Sequence, residues 1–202
     1  MTKLLLHVCC APCAVYPTDF LLARDYDITL FFYNPNIHPF REFQKRKESV
    51  EIYAENHDLP IHIDHRYRLT EFMRAIVFRE KSRCTVCQNI RVKETALFAK
   101  NNGFAAFSTS LLYSKYQNHE EIRQQCLDIS KTLGIQFLYH DFRLGWKMGV
   151  ESSITQGLYR QSYCGCIYSE QDRYDKSLRK KGKNNGEDDC SGYQQQEKSR
   201  GI

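Results

Sequence analysis

The stretch Leu4-Leu5-Leu6-His7-Val8-Cys9-Cys10-Ala11-Pro12-Cys13 decides the fold, because an apolar run passes directly into a cysteine-rich turn. Residues 4–8 predict a buried strand, and the apolar positions that begin at Val15 and Leu22 predict a helix after it. In a parallel sheet, ligands bind beyond the carboxyl ends of the strands, in the loops that lead into helices. These cysteines therefore occupy a position where a binding site is expected.

Strands and helices are predicted to alternate along the rest of the chain. Further strands are expected at 27–33, 60–63, 104–107 and 135–139, and further helices at 40–57, 69–77, 92–99 and 122–133. This alternation predicts a parallel sheet covered by helices on both faces, which is a three-layer α/β domain. From residue 177 the chain holds almost nothing to bury. We expect a catalytic domain at 1–176 and a polar, disordered C-terminal tail at 177–202.

The bulk composition restricts the class of protein. A chain of 202 residues is most simply one domain with its own core. The formal net charge of +5 is compatible with a nucleic-acid partner but does not decide for one. No apolar window approaches the roughly 18 residues that a membrane span needs. We therefore expect no membrane association and a cytoplasmic location, where thiols stay reduced.

Five thiols form two tight groups, Cys9-Cys10-x-x-Cys13 and Cys84-x-x-Cys87. Adjacent cysteines have Cα atoms only about 3.8 Å apart, so a disulfide between Cys9 and Cys10 would be strained. Clustered thiolates that cannot pair with each other are typical of a metal centre. Four or five of them could hold zinc or an iron–sulfur cluster, and spacing alone does not choose between these. A structural zinc site therefore stays open.

A third group, Cys164-Gly165-Cys166, indicates redox chemistry. The Cα atoms of residues two apart can meet disulfide geometry, and Gly165 allows the intervening backbone a positive φ. A strained bond of this kind is easily reduced, as in a catalytic dithiol. Two further metal ligands, or an incidental pair, are the alternatives. Cys126 falls on the apolar stripe of its helix, and Cys190 lies in the predicted tail.

Nucleotide-binding loops are absent, since no Gly-x-Gly-x-x-Gly or Walker-type sequence occurs among the ten glycines. We therefore expect no bound nucleotide. The basic residues before the second cysteine group could instead bind phosphate groups of a ligand next to the predicted metal site. They are Arg74, Arg79, Lys81 and Arg83.

Five motifs follow one another in order along the chain. They are 7–13 (His-Val-Cys-Cys-Ala-Pro-Cys), 32–39 (Phe-Tyr-Asn-Pro-Asn-Ile-His-Pro), Cys84-x-x-Cys87, 110–119 (Ser-Leu-Leu-Tyr-Ser-Lys-Tyr-Gln-Asn-His) and 163–169 (Tyr-Cys-Gly-Cys-Ile-Tyr-Ser). Together they resemble the QueH family of cobalamin-independent epoxyqueuosine reductases, and the resemblance covers roughly residues 3 to 172. It implies a Rossmann-like domain related to the adenine-nucleotide alpha hydrolases, with the metal site at the C-terminal edge of the strands.

The resemblance also implies the last step of queuosine biosynthesis. An epoxide on the cyclopentane ring of a modified guanosine, at the wobble position of tRNA, is reduced to an alkene. The implied cofactors are a 4Fe–4S cluster and an adjacent second metal ion, iron, with neither cobalamin nor a nucleotide. The implied partners are the tRNA anticodon loop and a separate electron donor.

The same resemblance implies roles for individual residues. The implied 4Fe–4S ligands are Cys9, Cys10, Cys84 and Cys87. Cys13 would face the second metal, and Cys164 with Cys166 would be the redox-active pair. Candidate substrate-binding residues are Tyr33, Tyr113, Gln117, His119 and Arg160. Two alternatives stay open, an ATP-dependent tRNA-modifying enzyme of the same fold and a structural zinc protein that binds nucleic acid.

Overall fold

A parallel sheet forms the centre of the molecule in the computed structural model, which describes residues 2–179. Its strands are β1 (Thr2–His7), β2 (Tyr26–Phe32), β3 (Ile61–Ile63), β4 (Ala106–Thr109) and β5 (Gln136–Phe137). They lie in the order β3-β2-β1-β4-β5, and every neighbouring pair is parallel. The strand order reverses direction at β1. The loop after β1 is therefore the topological switch point, where open α/β sheets bind their ligands.

Helices connect the strands and cover the sheet. They are α1 (Ala11–Leu22), α2 (Phe40–Asn56), α3 (Leu69–Ile76), α4 (Arg83–Asn101), α5 (His119–Leu133), α6 (Trp146–Thr155), α7 (Ile167–Tyr174) and α8 (Lys176–Arg179). The chain crosses over in opposite directions on the two sides of β1, and since parallel crossovers are almost always right-handed, the helices cover both faces of the sheet. The predicted three-layer, Rossmann-like α/β fold is confirmed.

The central strand β1 is buried on both faces, as its continuous apolar run requires. Leu4, Leu5 and Leu6 are fully buried. His7 follows them, and its ring contacts the hydroxyl of Thr109 at 2.9 Å and the carbonyl of Tyr33 at 3.3 Å. Burial, helped by nearby Arg91, lowers the pKa of His7 to about 4. A neutral imidazole thus joins the ends of three neighbouring strands.

Two helices begin earlier than the sequence pattern predicts. Helix α1 starts at Ala11, directly after Cys10, so Pro17 lies inside the helix and not in its first turn. Pro17 has no N–H, and the carbonyl of Cys13 therefore lacks the usual helical hydrogen bond. Helix α4 starts at Arg83, so its first turns contain the second cysteine group, which was expected before the helix. The first turns of α4 contain many polar residues, so the apolar periodicity that predicts a helix is not visible there.

The C-terminal boundary stays a prediction. Helix α8 covers Lys176–Arg179, so the first residues of the expected tail are helical. The remainder of the expected tail, 180–202 with Cys190, lies outside the described residues. Within 2–179, no helix is both long enough and apolar enough to cross a membrane.

Candidate metal centre

The N-terminal cysteines meet at the switch point after β1. The sulfur atoms of Cys9, Cys10 and Cys13 all lie within 4.8 Å of one another. The Sγ atoms of Cys9 and Cys10 are 3.8 Å apart. Two thiolates on one tetrahedral ion, each with a metal–sulfur bond of about 2.3 Å, would also be about 3.8 Å apart. This trio therefore has the spacing of ligands to a metal ion.

Negative charge in the trio concentrates on one sulfur. Hydrogen bonds from the thiols of Cys10 and Cys13 lower the pKa of Cys9 well below its usual value, and Arg91 adds to the effect. Burial raises the pKa of Cys10, and hydrogen bonds within the trio raise that of Cys13. The thiol protons of Cys10 and Cys13 thus favour the thiolate form of Cys9. A metal ion can take the place of those protons.

A second set of cysteines surrounds a neighbouring cavity. The cysteines that line it are Cys84, Cys87, Cys164 and Cys166. Cys84 and Cys87 are not among the sulfurs that lie within 4.8 Å of one another in the trio. The structure thus brings the distant cysteines to one edge of the sheet in two adjoining sets.

Three of these cysteines lie at the N-termini of helices. Cys10 immediately precedes α1, Cys84 lies in the first turn of α4, and Cys166 immediately precedes α7. The Cys166 sulfur accepts a hydrogen bond from the backbone N–H of Ser169 at 3.3 Å. The N-terminus of a helix carries partial positive charge and favours thiolate over thiol. The arrangement therefore suits an anionic group at this edge.

Arg91 connects the two cysteine sets electrostatically. Its side chain lies one turn after Cys87 on α4, is only 2% exposed, and donates from Nε to the Cys87 carbonyl at 3.2 Å. Burial opposes its charge, but the sulfurs of Cys87, Cys164 and Cys9 raise its pKa overall. A buried cation is costly unless an anion faces it. Cys9, whose pKa is lowered, can face Arg91 as a thiolate, whereas burial raises the pKa of Cys87 and of Cys164 and Arg91 counteracts part of that rise.

The backbone around Cys164 is held by a buried ion pair. Arg46, only 1% exposed, donates to the carbonyl of Cys164 at 2.8 Å and to that of Tyr163 at 3.0 Å. Its Nε donates to the Glu42 carboxylate at 2.7 Å. Burial raises the pKa of Cys164 to about 12, while Arg91 counteracts part of the shift.

Gly165 is required by the shape of this loop. Its φ is +137°, which side chains rarely adopt, and its carbonyl accepts the backbone N–H of His38 at 2.7 Å. A Cβ at this position would meet Arg46 Nη1 at 3.1 Å and Asn36 Nδ2 at 3.2 Å. The thiols on either side, Cys164 and Cys166, are free. The loop is therefore fixed while its sulfurs stay available.

Two of the candidate substrate residues lie near this edge. Gln117 lines the cavity, and its Oε1 accepts a hydrogen bond from Gln88 at 3.3 Å. Tyr113 donates its hydroxyl to the Trp146 carbonyl at 3.0 Å. Burial raises the pKa of Tyr113, and the charge of Cys13 contributes, so this hydroxyl lies close to the trio.

Like Tyr113, the other three candidates are not among the residues that line the cavity. Tyr33 is buried beside β2, with the Arg68 guanidinium 5.2 Å from its ring centre. The His119 Nε2 contacts the hydroxyl of Tyr139 at 3.1 Å. Arg160 donates to the hydroxyl of Ser153.

Several residues of the site were missed by the sequence pattern. Arg91 and Gln88 share the cysteine-bearing side of α4, so helical spacing from Cys84 and Cys87 could have found them. Gln161 donates to Cys10 Sγ at 2.9 Å, and nothing in its local sequence signals this. The buried amide oxygens of Asn36 and Gln88 have no hydrogen-bond partner among the described residues, although both side chains line the cavity.

Comparison with known proteins decides the family. The family model described as epoxyqueuosine reductase QueH matches residues 4–172. The chain belongs to the QueH family. The resemblance indicated by the motifs is confirmed, and with it the expected class of activity, an oxidoreductase.

QueH relatives from distant bacteria align along most of their length. The epoxyqueuosine reductase QueH of Dehalococcoides mccartyi is 33% identical over 86% of this chain and 96% of its own. The QueH protein of Acinetobacter baylyi is 38% identical over 84% of this chain and 81% of its own. The QueH protein of Thermotoga maritima is 35% identical over 87% of this chain and 94% of its own. A solved structure, a predicted subunit of tRNA methyltransferase from Methanocaldococcus jannaschii, has a TM-score of 0.53 at 9% identity, over 76% of this chain and 75% of that one. It is similar in fold alone.

Proposed function

We propose that this chain reduces epoxyqueuosine in tRNA to queuosine, by removing the epoxide oxygen of the modified base at the wobble position. Membership of the QueH family supports the reaction. The observation that carries the proposal is the gathering of cysteines at the carboxyl edge of the sheet around the buried Arg91. Reduced thiols and a tRNA substrate both fit the cytoplasm.

We assign the metal centre to the cysteines that the motifs single out. A 4Fe–4S cluster would be held by Cys9, Cys10, Cys84 and Cys87, with Cys13 facing a second iron. The donors fit, because thiolates are the ligands of such clusters, and Arg91 with three helix N-termini offsets their charge. When bound, this centre supplies single electrons at low potential and a Lewis acid for the departing oxygen.

Removal of the oxygen requires two electrons and two protons. Both C–O bonds of the epoxide break, the two carbons become an alkene, and the oxygen leaves as water. Oxidation of the Cys164 and Cys166 thiols to one disulfide releases the two electrons and two protons that this balance needs. A separate electron donor then returns the disulfide to two thiols. A fixed backbone with free sulfurs suits this role.

The chain's own polar groups would hold the base. A base in the anticodon loop must leave its stack to reach an enclosed site. The unpaired amide oxygens of Asn36 and Gln88 can accept N–H or O–H groups of the modified guanine and its cyclopentane ring. Gln117 lies beside them, and Tyr113 stands near the trio. Tyr33, His119 and Arg160 are proposed only as contacts outside the cavity.

The two alternatives are not favoured. An ATP-dependent tRNA-modifying enzyme would need a phosphate-binding loop after β1, where this chain carries Cys9 and Cys10. A structural zinc protein would need only four ligands, and more cysteines than that line this edge.

Conversion of the substrate tests the proposal. Protein reconstituted with iron and sulfide under anaerobic conditions is mixed with tRNA that contains epoxyqueuosine and with a chemical reductant, and the nucleosides are then weighed by mass spectrometry. We expect the loss of one oxygen atom from the modified nucleoside. A colourless protein that contains stoichiometric zinc and does not convert epoxyqueuosine would contradict the proposal.

A further inference from the structure

Phe78 is the most exposed large apolar side chain among residues 2–179. It is 94% exposed, and its neighbour Val77 and nearby Leu69 are each 41% exposed. These three, with Met73 and Arg74, border one open groove on the outer side of α3. Single exposed apolar residues are ordinary, but a contiguous apolar surface marks a site of interaction.

The backbone holds Phe78 in this exposed position. Its φ is +62°, in the left-handed region that bulky side chains rarely adopt. The carboxylate of Glu80 accepts the Phe78 N–H at 3.0 Å and closes the turn. Strain of this kind persists where a site needs a side chain in one particular place. The exposure of the ring is thus built into the turn between α3 and α4.

Basic side chains surround the ring. Residues 69–83, which we name the α3–α4 ridge, contain four basic and two acidic residues. Within the described part of the chain, the side chains of Arg74, Arg79 and Lys81 form no ion pair or hydrogen bond. Glu80 is already engaged with the backbone. An exposed aromatic ring among unpaired positive charges is the combination that binds single-stranded nucleic acids.

The ridge adjoins the cavity of the candidate site. Phe72 on α3 and Cys84 at the start of α4 both line that cavity, and Phe78 lies between them in the chain. A base that enters the cavity leaves its neighbour in the loop without a stacking partner. An aromatic face on the connection between these two lining residues can supply that partner, because every base has a face that stacks.

We propose, on the basis of the function proposed above, that the α3–α4 ridge binds the anticodon loop. Phe78 stacks on a base next to the one held in the cavity. Arg74, Arg79 and Lys81 contact the phosphates on either side of it. The partner is single-stranded RNA in a loop, recognised through stacking and charge.

Binding of RNA to the metal-loaded protein tests this without any turnover. The probe is a fluorescein-labelled anticodon stem–loop RNA with guanosine at the wobble position, and anisotropy gives its affinity. We expect Phe78→Ala to weaken binding about ten-fold, as for the loss of one stacking face. Phe78→Tyr keeps the ring and should keep the affinity. Leu144→Ala is the control, since Leu144 is 80% exposed but follows β5 at the opposite edge of the sheet.

Salt dependence separates the two kinds of contact. Each lost phosphate contact lowers the slope of log affinity against log salt by about 0.7 to 1. We expect this change for Arg79→Gln and for Lys81→Gln, and no change of slope for Phe78→Ala. Unaltered slopes in both charge variants would overturn the phosphate contacts.

A glycine variant excludes a loss of folding as the cause. Phe78→Gly removes the ring and also relieves the left-handed backbone, so its unfolding midpoint should be at least that of the wild type while RNA affinity falls. Unchanged RNA affinity in Phe78→Ala would overturn the inference. The same holds if that variant keeps its RNA affinity but changes self-association or the binding of another protein. If the wild-type protein binds RNA through Phe78 but does not reduce epoxyqueuosine, only the proposed function is contradicted.

Discussion

Arg91 is the residue on which the electrostatics of the site depend. Its guanidinium is buried, and its charge favours the thiolate forms of Cys87, Cys164 and Cys9. Positive charge in a medium of low dielectric stabilises neighbouring thiolates strongly. Arg91 therefore supports the deprotonated cysteines that metal binding requires.

Replacing Arg91 by Gln should lower both iron content and stability. Loss of one partner from a buried set of charges typically costs about 3–5 kcal/mol, and here the uncompensated charge would be that of the thiolates. Iron analysis and the free energy of unfolding of the metal-loaded protein measure the two effects. Lys93→Gln, at an exposed site on the same helix, is the control. Wild-type iron and stability in Arg91→Gln would contradict this role.

Cys164→Ser and Cys166→Ser should separate redox chemistry from metal binding. We expect turnover to fall by more than about a hundred-fold, because the dithiol supplies protons as well as electrons. Iron content should stay at the wild-type level. Cys126→Ala, in the core of α5, is the matched control for a lost thiol. Loss of iron in either serine variant would instead make these residues metal ligands.

The sequence predicted the cysteines of the site better than the polar and charged residues that contact them. Cysteine is rare enough that Cys9-Cys10-x-x-Cys13 and Cys84-x-x-Cys87 stand out without a structure. Arginine and glutamine are common on any surface, so Arg91 and Gln161 carry no signal until their burial is known. Burial depends on which helices meet, and that information is not local.

At the scale of elements, the loop before α7 is held in one conformation by contacts with α2 and with the segment before α2. Arg46 of α2 holds the carbonyls of Tyr163 and Cys164, and the N–H of His38 holds that of Gly165. Little space remains at Gly165, since an added methyl group would press on Arg46 and Asn36.

Gly165→Ala should therefore destabilise the fold more than a change at a glycine with open surroundings. Its unfavourable φ and the close contacts together should cost about 3 kcal/mol. Gly103→Ala is the matched control, because Gly103 has a φ of +73° and no atom within 4 Å of an added Cβ. That variant should cost about 1 kcal/mol. Denaturant unfolding measures both, and equal losses would show that the loop can move aside.

Element boundaries followed the sequence where apolar periodicity was strong. Helix α5 ends at Leu133 with Gly134 in the left-handed conformation, as its pattern predicts. The starts of α1 and α4 were missed because cysteines and polar residues occupy their first turns. Helices α6 and α7 were not predicted, since few of their residues are buried. The helix ends that carry the cysteines were thus the ones that apolar periodicity could not predict.

At the scale of the molecule, buried histidines connect stability to pH. Burial lowers the pKa of His38 to about 4, compared with 6.5 for an exposed histidine. Above pH 6.5 His38 is neutral in both folded and unfolded chains. As pH falls from 6.5 to 4, the unfolded chain takes up a proton that the folded one does not, so the folded state loses stability.

His38→Gln should remove this part of the pH dependence. The wild type should lose up to about 3 kcal/mol more than the variant across that interval. Unfolding at a series of pH values measures the difference. His65→Gln, at an exposed site, should keep the wild-type dependence. Parallel curves for the wild type and His38→Gln would contradict a buried neutral His38.

The global arrangement was the most predictable property of the chain. Strands alternating with helices allow few topologies, and right-handed crossovers reduce them further. The position of the cysteines after β1 then follows from the sheet itself. What the sequence could not give is the separation of the sulfurs into a trio and a set around a cavity, because that depends on how α4 and α7 pack.

Metal analysis of four proteins tests most directly whether distant cysteines hold iron together. Wild type, Cys10→Ala, Cys84→Ala and Cys126→Ala are purified without oxygen, and iron, sulfide and visible absorption are measured for each. We expect at least about four iron and four sulfide per wild-type and Cys126→Ala chain, and a loss of visible absorption in both other variants. Zinc in place of iron, or wild-type iron in Cys84→Ala, would contradict the account.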